Sequence, residues 1–263
     1  MSKILLFLLI FLSVSIHSED LYVLRYARSY YPAKYLNGKS ETGLKKLSWY
    51  LFYIKIKEKK ILIDTGVCDE AMVRKFKFKN YRHPLDLLEK IGVKSSEITD
   101  IILTHSHFDH IGCIKEFPNA NIHIHKDELE SLKNTWQFPV YSGFLKSKDQ
   151  KQKLDSFPDS ISLSGLEIKK SGGHTPGSVF VESNHFLITG DECYFVKECL
   201  DGIGLREKSR FSEENNLKFL KYLILQKNKK PELTILSLHD PKMLDDFVKI
   251  SEEIHKKSFP FNQ

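Results

Sequence analysis

The segment Thr104-His105-Ser106-His107-Phe108-Asp109-His110 constrains this chain more than any other. It sets three imidazoles and a carboxylate within six residues, directly behind the apolar run Ile101-Ile102-Leu103. Imidazole nitrogen and carboxylate oxygen are the ligands zinc takes in catalytic sites. Alternation at a strand end points His105 and His107 the same way. Where the chain then turns into a helix, Asp109 and His110 can face a neighbouring point. One segment can therefore feed two adjacent metals.

More ligands are needed, and candidates recur where strands end. Gly172-Gly173-His174-Thr175-Pro176-Gly177 frames a histidine in a turn. Leu187-Ile188-Thr189-Gly190-Asp191 delivers a carboxylate, and Leu236-Ser237-Leu238-His239-Asp240 another histidine. Ile61-Leu62-Ile63-Asp64-Thr65-Gly66 follows the same pattern, with Asp64 either a ligand or an orienting partner behind a ligand histidine.

The intervening chain reads as mixed strands and helices. Leu21–Tyr26 is a first strand; Trp49–Ile56 and Ile61–Ile63 form a hairpin through Glu58-Lys59-Lys60. Pro84–Ile91 has helical spacing, with Pro at its start and Gly92 as its stop. Short strands are expected at Asp100–Thr104, Asn121–His125, Leu166–Lys169, Ser178–Glu182, His185–Thr189 and Leu233–Leu238. Helices are expected at Asp127–Lys133, Phe211–Asn228 (with Ser212 as cap) and Asp240–His255. Residues 134–160, with Trp136, Phe138, Tyr141 and Phe144, read as an insertion or lid; Trp136, Phe138 and Tyr141 are candidates either to line an acyl pocket or to pack in the core or lid. The pattern suggests layered sheets with outer helices.

The first residues are Met-Ser-Lys, an apolar run from Ile4 to Leu12, then small residues. This is the pattern of a secretory signal peptide over residues 1–18, which leaves 19–263 as one domain, expected to be exported and without a stable membrane span after cleavage. The apolar run is shorter than the ~20 residues a bilayer demands. Export permits disulfides. No Cys-x-x-Cys occurs among Cys68, Cys113, Cys193 and Cys199, which argues against a cysteine zinc site. They are expected to be small buried thiols, with Cys193–Cys199 a candidate local bridge. The net charge of +6 is spread along the chain, which favours a solvated surface over nucleic-acid binding.

Taken together, His105-x-His107-x-Asp109-His110, Asp64-Thr-Gly, Gly-His174-Thr-Pro-Gly, Gly190-Asp191 and His239 resemble the metallo-β-lactamase fold hydrolases. The resemblance covers nearly all of residues 19–263. It implies an α+β fold, a four-layer αββα sandwich with a dinuclear metal site on one sheet edge. It implies two zinc ions, or other divalent transition metals. His105, His107 and His174 would hold one; Asp109, His110 and His239 the other; Asp191 would bridge them, with Asp64 behind. Within the superfamily, the intervals from His110 to His174 (64), His174 to Asp191 (17) and Asp191 to His239 (48) are similar to the N-acyl homoserine lactonase group. So is Tyr194, three residues after Asp191.

The resemblance implies a hydrolase for a small-molecule lactone or ester, in which a bridging hydroxide attacks the carbonyl. Asp109 would carry a proton to the leaving alkoxide, and Tyr194 would hydrogen-bond the carbonyl oxygen. A glyoxalase II-type thioesterase shares the ligand set, though its glutathione-binding segment is not identifiable here. A ribonuclease-Z-like phosphodiesterase is disfavoured by export and dispersed charge, and an inactive metal-binding protein by the complete ligand set. Of the other histidines, His123 and His125 are expected to face solvent through strand alternation, and His185 to sit in a turn. His83 and His255 show no partners.

Overall fold

The computed structural model describes residues 18–37, 42–135 and 153–260. The expected signal segment, apart from Ser18, and the centre of the expected lid, with Trp136, Phe138, Tyr141 and Phe144, lie outside the described residues.

The chain opens with two long antiparallel strands, β1 (Ser18–Pro32) and β2 (Leu44–Ile56), and returns through β3 (Lys59–Ile63). The hairpin turn is Lys57-Glu58, with Lys57 in the left-handed region (φ 52°). Parallel strands follow: β4 (Asp100–Ile102), β5 (Asn121–His125) and β6 (Lys153–Phe157). With β12 (Val248–Lys249) and β13 (Ile254–Pro260) they form an eight-stranded sheet ordered β12-β13-β1-β2-β3-β4-β5-β6. The second sheet is ordered β11-β10-β9-β8-β7, built from β7 (Ser160–Leu163), β8 (Leu166–Lys170), β9 (Val179–Glu182), β10 (Phe186–Ile188) and β11 (Thr234–Leu236).

Alternation along β2 shows how the layers stack. Phe52 and Ile54 pack inward with Leu21, Ile63, Ile168, Val181 and Ile188, which is the core between the sheets. Leu51 and Tyr53 point the other way, into a second core with Leu87, Leu88 and Leu132 of the helices Pro84–Lys90 and Lys126–Lys133. A third core joins Leu187 and Ile235 to Phe219, Leu220 and Leu223 of the helix Glu213–Lys229, on the far side of the smaller sheet. Helix, sheet, sheet, helix is the αββα sandwich, and a strand covered on both faces carries no polar alternation.

Helix ends follow the expected signals. Ser212 Oγ accepts from Asn215 N at 3.2 Å. Gly92 (φ 74°) closes Pro84–Lys90, where Val93 N donates back to Leu88 O. His83 caps the start of that helix, accepting from Leu85 N.

Three expectations are corrected. Asp240–His255 is not a helix. Asp240 accepts from Lys242 N and Val196 N, and Pro241 follows it. The chain then returns as β13, pairing Ile254 with Leu24 through Pro260 with Ser18. Closing the free edge of β1 outweighs the helical spacing of Leu244, Phe247 and Val248, and Val248 is left exposed. Second, His123 and His125 are buried, because β5 lies inside the sheet. His123 bonds Asp100 and Asp155; His125 caps Lys126–Lys133 and reaches Pro158 O. Third, the cysteines are bridged as Cys68–Cys113 and Cys193–Cys199, so the first pair are not free thiols. Among the described residues, no helix is long and apolar enough to cross a membrane.

Candidate metal centre

The ligand candidates meet at one end of the sandwich, where β3, β4, β10 and β11 finish. After β4 the chain runs through Thr104, His105 and Ser106 to His107, then makes one helical turn, Phe108–Ile111. The turns before β9 and after β10 bring His174 and Asp191, and the chain beyond β11 brings His239.

Two clusters form, and in each the candidate ligand atoms lie within 4.8 Å of one another. In the first, His107 Nδ1 is 2.9 Å from His105 Nε2 and 3.1 Å from His174 Nε2. Asp191 Oδ2 stands 3.9 and 3.7 Å from those two Nε2 atoms. In the second, His110 Nε2 is 3.0 Å from Asp109 Oδ2, and His239 Nε2 is 3.5 Å from it. Asp191 Oδ1 completes that group at 3.5 Å from His110 and 3.1 Å from His239. A tetrahedral ion bonded at about 2.0–2.1 Å separates its ligand atoms by about 3.3 Å, so both clusters have the right span. Asp191 turns one oxygen to each.

The histidine rings are fixed from behind. His110 Nδ1 donates to Asp64 Oδ2 at 2.7 Å, and His174 Nδ1 to Ser209 O at 2.6 Å. His239 Nδ1 faces Ser48 O, and His105 Nδ1 faces Thr104 Oγ1. Each of these tautomers leaves the Nε2 lone pair pointing forward. Asp64 stands outside both clusters. Its carboxylate also accepts from Thr104 N at 2.8 Å and Thr104 Oγ1 at 2.7 Å, so it orients His110.

This arrangement fits metal. Two forward lone pairs, from His105 and His174, converge on His107 Nδ1, which carries one proton at most. Hydrogen bonds cannot satisfy all three nitrogens; a cation can. In the second cluster His110 Nε2 and Asp191 Oδ1 are buried and make no hydrogen bond. Burial, with neighbouring histidines adding, holds His105 well below its ordinary range and His107 at about 4, so both are neutral, as ligation requires. Burial opposes the charge on Asp191, but His239 and His110 outweigh it and keep the carboxylate ionised. At His110 burial is likewise outweighed, by Asp109, Asp64 and Asp191, which raise it well above the usual range, so its Nε2 holds a proton that a metal would displace on binding. Three carboxylates thus converge where a positive charge belongs.

A cavity of about 250 Å³ opens onto both clusters. Tyr194 lines it, its ring 5.3 Å from that of His239. Burial, reinforced by Asp191 and Asp109, raises its hydroxyl well above 10, so it remains a donor. The other walls include Tyr31, Tyr35, Trp49, Phe76 and Phe108. Phe76 and Phe108 stack at 4.2 Å, and Trp49 packs edge-on against His239 at 4.7 Å. Sequence reasoning looked to the lid for such rings. The signal was the aromatic density of Tyr30-Tyr31-Pro32-Ala33-Lys34-Tyr35 and Phe76-Lys77-Phe78 at the ends of elements.

Comparison with known proteins agrees with this geometry. The profile of the Metallo-beta-lactamase superfamily matches residues 47–225. A protein of Methanocaldococcus jannaschii named "Probable metallo-hydrolase" is 32% identical over 148 residues, 54% of this chain and 66% of that protein. The match therefore spans just under two thirds of that relative's length. A protein of Mycobacterium tuberculosis with the same description is 24% identical over 230 residues, covering 70% of this chain and 71% of its own. Among solved structures, a quorum-quenching N-acyl homoserine lactone lactonase superposes with a TM-score of 0.73 at 21% identity, covering 90% of this chain and 98% of that one. AidC, a dizinc quorum-quenching lactonase in complex with a product, gives 0.66 at 19% identity, covering 95% and 97%. At these identities the likeness is one of fold.

Proposed function

Because this chain belongs to the metallo-beta-lactamase superfamily, we propose that it is a dinuclear-metal hydrolase that opens a lactone or cleaves a small carboxylic ester. The observation that carries this reading is the convergence of the His105 and His174 lone pairs on His107, beside a second cluster sharing Asp191. His105, His107 and His174 would hold one metal and Asp109, His110 and His239 the other, with Asp191 common to both. Bound there, two zinc ions or similar divalent metals would supply activated water at neutral pH and polarise a carbonyl.

The chain's own groups supply the rest. Tyr194, kept protonated, donates a hydrogen bond to the carbonyl oxygen as negative charge builds there. Asp109 lines the cavity and would pass a proton to the departing alkoxide. The aromatic walls would shield an acyl group from water. A lactone is favoured among carbonyl substrates by Tyr194 standing three residues after Asp191, and by the lactonases of like fold, one of which carries N-hexanoyl-L-homoserine at its catalytic metal centre. Export is part of the proposal, supported by the two disulfides.

A panel of lactones, thioesters, phosphodiesters and β-lactams on the zinc-loaded protein tests this reading. Turnover of lactones or esters is expected; cleavage of thioesters alone would replace it with a glyoxalase II-type activity. Tyr194→Phe should lower kcat on the order of 10²-fold, the size of a lost oxyanion donor, with metal content unchanged. An unaltered chemical step would remove Tyr194 from the mechanism. Asp64→Asn should weaken metal binding by about 10–100-fold through disorientation of His110, which a zinc titration measures.

A further inference from the structure

Two buried glutamates that no metal position uses lie on either side of the His174 turn. Glu128, on the helix Lys126–Lys133, splits its carboxylate between two loops. Its Oε1 accepts from Ser106 N at 2.8 Å and Ser106 Oγ at 2.6 Å, between His105 and His107. Its Oε2 accepts from Thr175 Oγ1 at 2.5 Å and Gly177 N at 3.1 Å, just after His174. Glu192 follows Asp191 directly. Its Oε1 accepts from Gly173 N and His174 N, both at 2.8 Å, and from Ser178 Oγ at 2.7 Å. Its Oε2 accepts from Asn216 Nδ2 at 2.7 Å, which anchors it to the helix Glu213–Lys229.

Neither carboxylate is more than 1% exposed, and among the described residues neither forms an ion pair. A buried carboxylate held only by hydrogen bonds is costly to keep. What these two achieve is to satisfy backbone N–H groups of the 173–177 turn, whose shape would otherwise relax toward water. The packing leaves no slack. A Cβ on Gly173 would lie 2.3 Å from Glu192 Oε2, and one on Gly177 would lie 2.1 Å from Glu128 N.

We propose that Glu128 and Glu192 are positioning residues that assemble the three-histidine cluster and set its metal affinity separately from that of the second cluster. Glu128 ties the His105–His107 segment to the His174 turn. Glu192, next to Asp191 in the chain, ties that same turn to Asn216 on the helix Glu213–Lys229. The histidines of the second cluster take their orientation from elsewhere, His110 from Asp64 and His239 from Ser48 O. The inference rests on the reading that these histidines bind metal.

The test is a zinc titration of the whole protein carrying nitrogen-labelled histidine, following each imidazole by NMR, with thermal unfolding as a parallel measurement. Wild type should take two equivalents. In Glu192→Ala, the His105, His107 and His174 signals should need about 10–100-fold more zinc, the usual cost of losing an outer partner, while His110 and His239 follow wild type. Glu192→Gln should recover part of the loss, because an amide oxygen still accepts from Gly173 and His174 while the amide NH2 cannot accept from Asn216 Nδ2. Thr175→Val removes one hydroxyl from the Glu128 side; it should shift the same three signals by a smaller factor, and it stands in if Glu192→Ala does not fold. The proposal is overturned if these variants lower the melting temperature while all five histidines titrate as in wild type, or if all five shift together. A wild type that binds no zinc would overturn the metal reading itself, before any variant is compared.

Discussion

Asp191→Ala should abolish hydrolysis, with kcat/KM falling on the order of 10³-fold or more, while the protein still folds. Asp191 is the one side chain that belongs to both clusters, with Oδ2 facing His105 and His174 and Oδ1 facing His110 and His239. On the dinuclear reading its loss would leave three ligands for each metal and no side chain common to both. A metal that polarises a carbonyl contributes several kcal/mol of transition-state stabilisation, and each 1.36 kcal/mol is tenfold in rate. The fold should survive because Asp191 accepts no hydrogen bond that joins strands. Its turn is held by Thr189 N donating to Leu236 O and by Asn216 Nδ2 donating to the Glu192 carbonyl. Circular dichroism and thermal unfolding verify the fold, metal analysis the stoichiometry, and initial rates on the best substrate of the panel the loss. A variant that keeps more than a tenth of wild-type activity with two metals bound would show that Asp191 does not bridge.

The legible part of this site is what a local pattern can carry. His105, His107, Asp109 and His110 are readable because one short segment delivers all four, and Asp191 and His239 because each follows an apolar strand. The αββα layering was expected from the resemblance carried by these same residues. Glu128 and Glu192 were not readable. Their neighbours in sequence give no hint of them, since their partners lie 14 to 49 positions away. His123 and His125 misled for a related reason. Alternation implies a wet face only when one side of the strand is uncovered, and β5 is flanked by β4 and β6 with the helix Lys126–Lys133 packed beside it. Asp240–His255 had the spacing of a helix, but the unpaired edge of β1, far away in sequence, claimed the end of that stretch.

Breaking Cys68–Cys113, by Cys68→Ala with Cys113→Ala, should cost about 4 kcal/mol. The bridge closes a sequence separation of 45 residues, and the chain-entropy relation gives about that figure for a loop of this length. At about 2–4 °C per kcal/mol for a chain of this size, the melting temperature should fall by about 8–16 °C. Cys193–Cys199 spans a separation of only 6 and should cost about 2 kcal/mol by the same relation, so the two double variants should rank in that order. The longer bridge also lies behind the candidate metal centre. Cys113 N donates to Thr65 Oγ1, and Thr65 N donates to His110 O, so the bridge joins the segment after Asp64 to the segment after His110. Without it both segments gain freedom, and zinc affinity at the second cluster should drop along with stability. Calorimetry with and without a reductant, run on wild type and both double variants, measures the first effect; the zinc titration measures the second. Equal destabilisation by the two pairs would refute the loop-length account. If the second cluster kept its affinity after a large fall in melting temperature, the bridge would be a clamp on the fold alone.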